Sequence, residues 1–328
     1  MQVSCAFPAR AVAVAVAIAA CLWPSLCAAQ NYPGKPVRLV VPASPGGGSD
    51  LVTRIVATPL AAMLGQPFVV ENRVTAGGII ASQQVAQSAP DGYTLLSTFD
   101  TFVTNQFLFK DLQWHPVRDF APVMQICIFP QVLLVHPSVG AGSLQEFVAL
   151  AKKRGAQLNY GTAGPGSSTR MAYELFKSVA GIETVAIHYK GGGPAIQDLI
   201  AGQVQVMLVQ GGGAIQQNLK AGKLVALAVS TPKRSPLYPG IPAIAETYPG
   251  FESQSWVGMF APAGTSRSII DKLNSSLVKI LAEPGMKERF DNQAAEIVAG
   301  TPEALGRVVS ADQAKWGKIV REIQIKLD

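Results

Sequence analysis

Histidine, cysteine and charge are all scarce in this 328-residue chain, and each shortage excludes a class of chemistry. The 3 histidines, His115, His136 and His188, are scattered, two of them precede proline, and no H-E-x-x-H occurs, so a metal centre is not expected. Of the 4 cysteines, Cys5, Cys21 and Cys27 fall in the first thirty residues, and Cys127 sits alone in an apolar run. With that leader removed, no internal disulfide and no thiolate zinc site can form, and Cys127 reads as a buried, inert thiol. Charged residues reach only 15%, against roughly 25% in an ordinary soluble domain. The net charge of +6 is dispersed apart from Lys152-Lys153-Arg154, and a chain without a basic stripe is not a nucleic-acid binder. The G-x-G-x-x-G, G-x-x-x-x-G-K-[ST] and G-x-S-x-G patterns are all missing. Dinucleotide, nucleotide-triphosphate and nucleophile-elbow chemistry are therefore not expected, and no cofactor is implied.

What is present is apolar and rich in turns. Hydrophobic residues make up 48%, which excludes disorder, and 31 glycines with 23 prolines exclude a coiled coil. Length sets a prior of about two domains. Arg10, the uninterrupted apolar run Ala11–Trp23, and Cys27-Ala28-Ala29 compose a secretory signal peptide over residues 1–29. Thirteen apolar residues are too few to cross roughly 30 Å of hydrocarbon. Ile18-Ala19-Ala20-Cys21 offers a second reading, a lipid anchor on Cys21; both readings place the protein in the periplasm.

Beyond the leader, strand, glycine loop and helix alternate. The run 36–41 reads as a strand, Gly46-Gly47-Gly48 as its loop, and 51–57 as a helix capped by Ser49 or Asp50. Strands follow at 68–71 and 93–96, with a helix opened by Ala76-Gly77-Gly78 between them. In the second region a helix over 144–154 is capped by Ser143 and stopped by Gly155. Strands at 158–160, 184–189, 204–209 and 224–230 alternate with helices entered through Gly161–Ser168, Lys190–Pro194 and Gly211–Gly213. Longer amphipathic helices span 271–281 and 302–325. The pattern predicts an α/β fold with mostly parallel strands. A glycine loop also serves simple βα turns, but several together predict a cleft in which backbone N–H groups meet an anion at helix N-termini.

Tyr32–Pro42 followed by Pro45-Gly-Gly-Gly-Ser-Asp50 resembles the opening of the Bug-type receptors, the solute-binding components of tripartite tricarboxylate transporters. The likeness continues through Val70-Glu-Asn-Arg73, Pro90–Leu96, Gly164-Pro-Gly-Ser167, Tyr189-Lys-Gly191, Pro249-Gly-Phe-Glu252 and Ala261–Thr265. It implies a two-domain Venus-flytrap fold of the type II-like periplasmic-binding-protein class, with two crossover strands at the hinge. Domain 1 would comprise residues 30–130 and 254–328, and domain 2 residues 131–253. The implied function is a non-enzymatic, monomeric receptor that hands a small carboxylate to membrane transporter subunits. A sensory receptor for a two-component system and an exported hydrolase using Ser167 stand as alternatives.

Carried onto this chain, the resemblance implies ligand contacts from Ser44 and Gly47 in the first loop and Thr98 at the end of the third strand. From domain 2 it implies Thr162, Gly166, Ser167, Ser168, Gly191, Ala195 and Gln210. Asp50 is expected to cap its helix rather than touch an anion. Arg170 stands where relatives commonly carry histidine, and it is expected to point outward or to reach a second carboxylate. Gln210 stands where relatives often carry an acid, which favours a plain carboxylate over an amino acid. Phe99, Phe102 and Trp256 are expected in the core, or stacked on an aromatic acid. Lys190 supplies charge or covers the hinge.

Overall fold

The computed structural model describes residues 32–74 and 78–323; the leader, Cys21 and Thr75-Ala76-Gly77 lie outside the described residues. Three short apolar runs, β1 (Val37–Val41), β2 (Phe68–Asn72) and β3 (Thr94–Phe99), pair in parallel with β1 at the centre. Parallel pairing needs crossovers, supplied by α1 (Gly48–Leu64) and α2 (Ile79–Ala86). α3 (Thr101–Leu108) leaves β3 through the single residue Asp100. Next comes β4 (Phe120–Val135), sixteen residues long and nearly all apolar.

β4 links two sheets. Its Phe120–Pro130 stretch pairs with β9 (Gln254–Pro262), which in turn pairs with β3, giving the order β2-β1-β3-β9-β4. From Gln131 onward the same strand lies between β7 (Val206–Gln210) and β8 (Val225–Val229). β5 (Asn159–Thr162) and β6 (Val185–His188) extend this second sheet in parallel beyond β7. The chain leaves the first sheet at Pro130 and returns at Gln254, two neighbours in register. These are the two crossovers of a two-domain α/β fold.

Helices cover the second sheet: α4 (Leu144–Arg154), α5 (Ser168–Ala180), α6 (Gly192–Ile200), α7 (Gly213–Lys220) and the short α8 (Ile244–Thr247). After β9, α9 (Arg267–Leu281), α10 (Met286–Asp291), the two-residue β10 (Glu296–Ile297) and α11 (Pro302–Ile323) pack back on the first sheet. Each sheet has its own cores. Leu39, Leu95, Ile126, Cys127 and Leu277 belong to one; Leu133, Tyr160, Phe176 and Leu208 belong to another. Cys127 is fully buried, and desolvation raises its thiol pKa, so it stays protonated. Among the described residues, no helix is long and apolar enough to cross a membrane.

α4 begins and ends as its sequence predicts. The Ser143 hydroxyl accepts from Glu146 N (3.2 Å) and the Glu146 carboxylate accepts from Gly142 N (2.7 Å), a capping arrangement, and Gly155 terminates the helix. Ser143→Ala is expected to lower unfolding stability by about 1 kcal/mol, read by urea denaturation. A shift indistinguishable from zero would show that water replaces the cap.

α1 departs from expectation. It starts at Gly48 with Gly47 as N-cap, so neither Ser49 nor Asp50 occupies the cap position. Asp50 instead lies in the first turn and reaches back, accepting from Gly46 N at 2.8 Å. Arg54 Nε (2.9 Å) and Asn72 Nδ2 (2.8 Å) also donate to it, and Arg54 Nη2 donates to Asn72 Oδ1. Burial alone would raise this carboxyl's pKa, yet the bonds from Arg54, Gly46 and Asn72 together hold it below the ordinary value. The glycine loop after β1 is therefore fixed by a buried anion behind it.

Candidate functional site

Parallel strands β1, β3, β5 and β7 all present their carboxyl ends to the same space, and the helices that follow begin there. That space is a cleft of about 440 Å³ between the two sheets. Gly48 at the start of α1 and Thr101 at the start of α3 line it from one side. Ser168 and Thr169 of α5, Gly192 and Gly193 of α6, and Gly212 before α7 line it from the other. Five helix N-termini thus converge on one volume. Each leaves unsatisfied N–H groups and carries a partial positive charge of roughly half an elementary unit.

Among the described residues, no Asp, Glu, Lys, Arg or His lines this cleft. Its polar side chains are hydroxyls and amides, with Gln210 on one side and Asn292 and Gln293, just past α10, on the other. Its apolar floor includes Phe99 and Phe129, whose rings lie 5.6 Å apart. Gly48 packs closely against them: a Cβ there would stand 3.2 Å from Phe99 and 3.5 Å from Phe129. Gly191, at φ +117°, turns the chain into α6 through a conformation L side chains rarely adopt.

Of the residues named from sequence, Ser167, Ser168 and Gln210 line the cleft. Gly47 and Gly191 stand one residue away from lining glycines, and Ala195 is buried beside lining Ile196. Ser44 is exposed, and its carbonyl accepts from Gly47 N at 3.0 Å. Thr98 is buried within β3, its hydroxyl directed at Phe99 O. Thr162 is fully buried; its hydroxyl bonds Gly164 O (3.2 Å) and His188 Nδ1 (2.8 Å), bracing the loop from behind. Gly166 lies within that loop without lining the cleft.

Ser167 is the N-cap of α5. Its hydroxyl donates to Gly164 O at 2.7 Å and accepts from Arg170 N at 3.3 Å. Arg170 neither points outward nor enters the cleft: Nη1 donates to Pro165 O at 2.8 Å, so the guanidinium folds back on the 163–166 loop. Burial, then Arg170, lowers the His188 pKa, keeping that imidazole neutral beside Thr162. Phe102 and Trp256 are core residues, Phe102 stacking on Trp114 at 5.0 Å and Trp256 Nε1 donating to Asp312 at 2.8 Å. Lys190 is exposed and does not line the cleft. Sequence reasoning missed Thr101, Asn292 and Gln293. The first opens a helix that follows β3 without any glycine signal, and the other two reach the cleft only through the packing of α10.

Two α/β domains joined by paired crossovers, with an uncharged cleft ringed by helix N-termini, define a periplasmic solute-binding protein of the Venus-flytrap class. The family model of the tripartite tricarboxylate transporter family receptor matches residues 52–325, and the chain belongs to that family. BugT of Bordetella pertussis is 34% identical over 302 residues, covering 91% of this chain and 92% of the relative. Among solved structures, Rpa4515 of R. palustris with adipate superposes at TM-score 0.80 and 34% identity, covering 90% of this chain and all of that one. MatC from Rhodopseudomonas palustris with bound malate superposes at TM-score 0.76 and 32% identity, covering 88% of this chain and all of the other. The protein is therefore a receptor of the tripartite tricarboxylate type.

Proposed function

We propose that this receptor captures a small organic acid in the cleft and presents it to the membrane subunits of a tripartite transporter. The observation that carries this reading is the convergence of five helix N-termini on a cleft that, among the described residues, no ionisable side chain lines. Such a site attracts an anion through backbone dipoles and hydroxyls, and no buried cation has to be desolvated. A micromolar ligand requires about −8 kcal/mol, within reach of four or five bonds to one carboxylate at roughly 1.5–3 kcal/mol each. The adipate and malate in the related structures fit the same chemistry.

The division into domains 30–130 with 254–328 and 131–253 belongs to this reading. The switch of β4 partners between Pro130 and Gln131 supports it. Hinge closure about these crossovers would enclose the acid. The site binds without turnover: the Ser167 hydroxyl is engaged in capping α5 and the His188 imidazole in bracing Thr162. The protein acts as a monomer in the periplasm, delivered there by the leader at 1–29.

Melting the protein against mono-, di- and aromatic carboxylates tests the reading. An acid at a hundred times its Kd is expected to stabilise the fold by about 2.7 kcal/mol, a midpoint rise of several degrees. Stabilisation by neutral sugars and by none of the acids would refute it.

A further inference from the structure

Adjacent residues of β4 open onto opposite sides of the crossover. Phe129 lines the cleft, whereas Ile128 lines a second cavity, of about 280 Å³, behind the paired crossing strands. Trp256 of β9, directly opposite Ile128 in register, lines this rear cavity too. α11 closes it with Val308, Asp312 and Lys315.

Gln125 also lines the rear cavity, three residues before Ile128, a spacing that would put the two on opposite faces of a regular strand. A register shift between Gln125 and Cys127 makes up the difference. Gln125 pairs with Gly258, two residues from Trp256 and therefore on the same face. The irregularity in β4 thus turns this amide toward the cavity. Gln125 is only 7% exposed, and its side chain makes no hydrogen bond to any described residue. A buried amide that is open to a cavity but unpaired within the fold calls for a partner from outside.

The charges around it are unevenly spent. The Asp312 carboxylate accepts from Trp256 Nε1 at 2.8 Å with one oxygen and meets Lys315 Nζ at 3.0 Å with the other. Glu252, on the returning crossover, is exposed, accepts from Gln254 Nε2 at 3.2 Å and forms no ion pair with any described residue. One carboxylate and one amide are left uncommitted, beside an apolar wall of Ile128, Val298 and Val308.

We propose that this rear cavity is a binding site for a small organic ammonium ion, a protonated primary alkylamine. Its three N–H donors are shared between the Glu252 carboxylate and the Gln125 carbonyl, and its alkyl chain lies on the apolar wall. An acid is disfavoured, because two carboxylates against one ammonium leave the lining net negative and Lys315 is already held by Asp312. A metal ion is disfavoured as well: among the described residues, no group of three His, Cys, Asp or Glu could hold one. The site stands on the opposite face of β4 from the cleft and does not depend on what the cleft binds.

Titration with butylammonium chloride at constant ionic strength tests this, followed by proton–nitrogen correlation NMR at the indole N–H of Trp256. That N–H is bonded to Asp312 and its ring lines the cavity, so it reports occupancy there. A saturable shift with a millimolar Kd is expected, while butyrate and butanol leave the signal in place. Gln125→Leu and Glu252→Gln are each expected to weaken binding about tenfold, the loss of one hydrogen bond to a charged group. Glu252 is exposed, so its variant keeps the fold and decides the matter even where Gln125→Leu lowers the melting midpoint. A Trp256 signal that does not move, or that moves equally with butyrate or butanol, overturns the assignment. A Kd unchanged in Glu252→Gln, or in a folded Gln125→Leu, does the same.

Discussion

Replacing Asp100 by asparagine is expected to leave stability at pH 4 unchanged and to raise it substantially at pH 8. Asp100 joins β3 to α3, is 3% exposed, and accepts from Ser255 Oγ at 2.6 Å. Burial pushes its pKa up to about 7; the Ser255 bond and Lys315 oppose that rise, and Asp312 adds to it. The folded protein therefore holds a proton that the unfolded chain, titrating near 3.8, has already released. Where the folded state binds more protons, stability falls as pH rises. The loss runs from about pH 4 to about pH 7 and is complete above it. That displacement corresponds to about 4 kcal/mol as an order of magnitude. Asparagine keeps an acceptor for Ser255 and cannot ionise. Midpoints measured from pH 4 to 8 for both proteins check this, and parallel curves would show that Asp100 does not carry the dependence.

The second large effect concerns one glycine beneath the cleft. A Cβ on Gly211 would lie 1.5 Å from Tyr238 Oη and 2.5 Å from Cζ, distances at which the ring has to leave its slot. Tyr238 is buried among Val132, Val209 and Ile215, so the displacement strains the packing behind the cleft wall. Gly211→Ala is expected to destabilise by about 3 kcal/mol, at the upper end of overpacking effects. Gly212→Ala is the contrast: its backbone is extended, and a Cβ there meets nothing within 4 Å. Urea denaturation of the pair should show a large loss at 211 and almost none at 212. Equal losses would mean that loop flexibility, not Tyr238, decides the outcome.

Much of this architecture could be read from local sequence, because local chemistry creates it. Ser143 and Gly155 bracket α4, and the glycine loops mark where strands give way to helices. β4 was hidden by its own prolines, which ordinarily demote a strand. Here Pro122 adjoins a register shift and Pro130 occupies the crossing, so neither breaks the pairing around it. The site was legible in outline and not in detail. A serine beside a glycine loop looks the same whether the residue lines the cleft, as at Ser168, or stands exposed outside it, as at Ser44. Gln131 carried no local signal at all. It faces Gln210, seventy-nine positions away, only through the sheet.

The position of β9 bears on how the chain is made. β3 and β4 are consecutive in sequence but never touch as neighbours; β9 lies between them, with Phe260 facing Leu96 on one side and Pro122 on the other. The first sheet therefore has a gap at its centre until residues 254–262 arrive, after the whole of the second sheet has been synthesised. A nascent chain lacking that strand cannot close its largest core, and such long-range pairing is intrinsically slow. This connectivity acts as a delay in folding written into the topology.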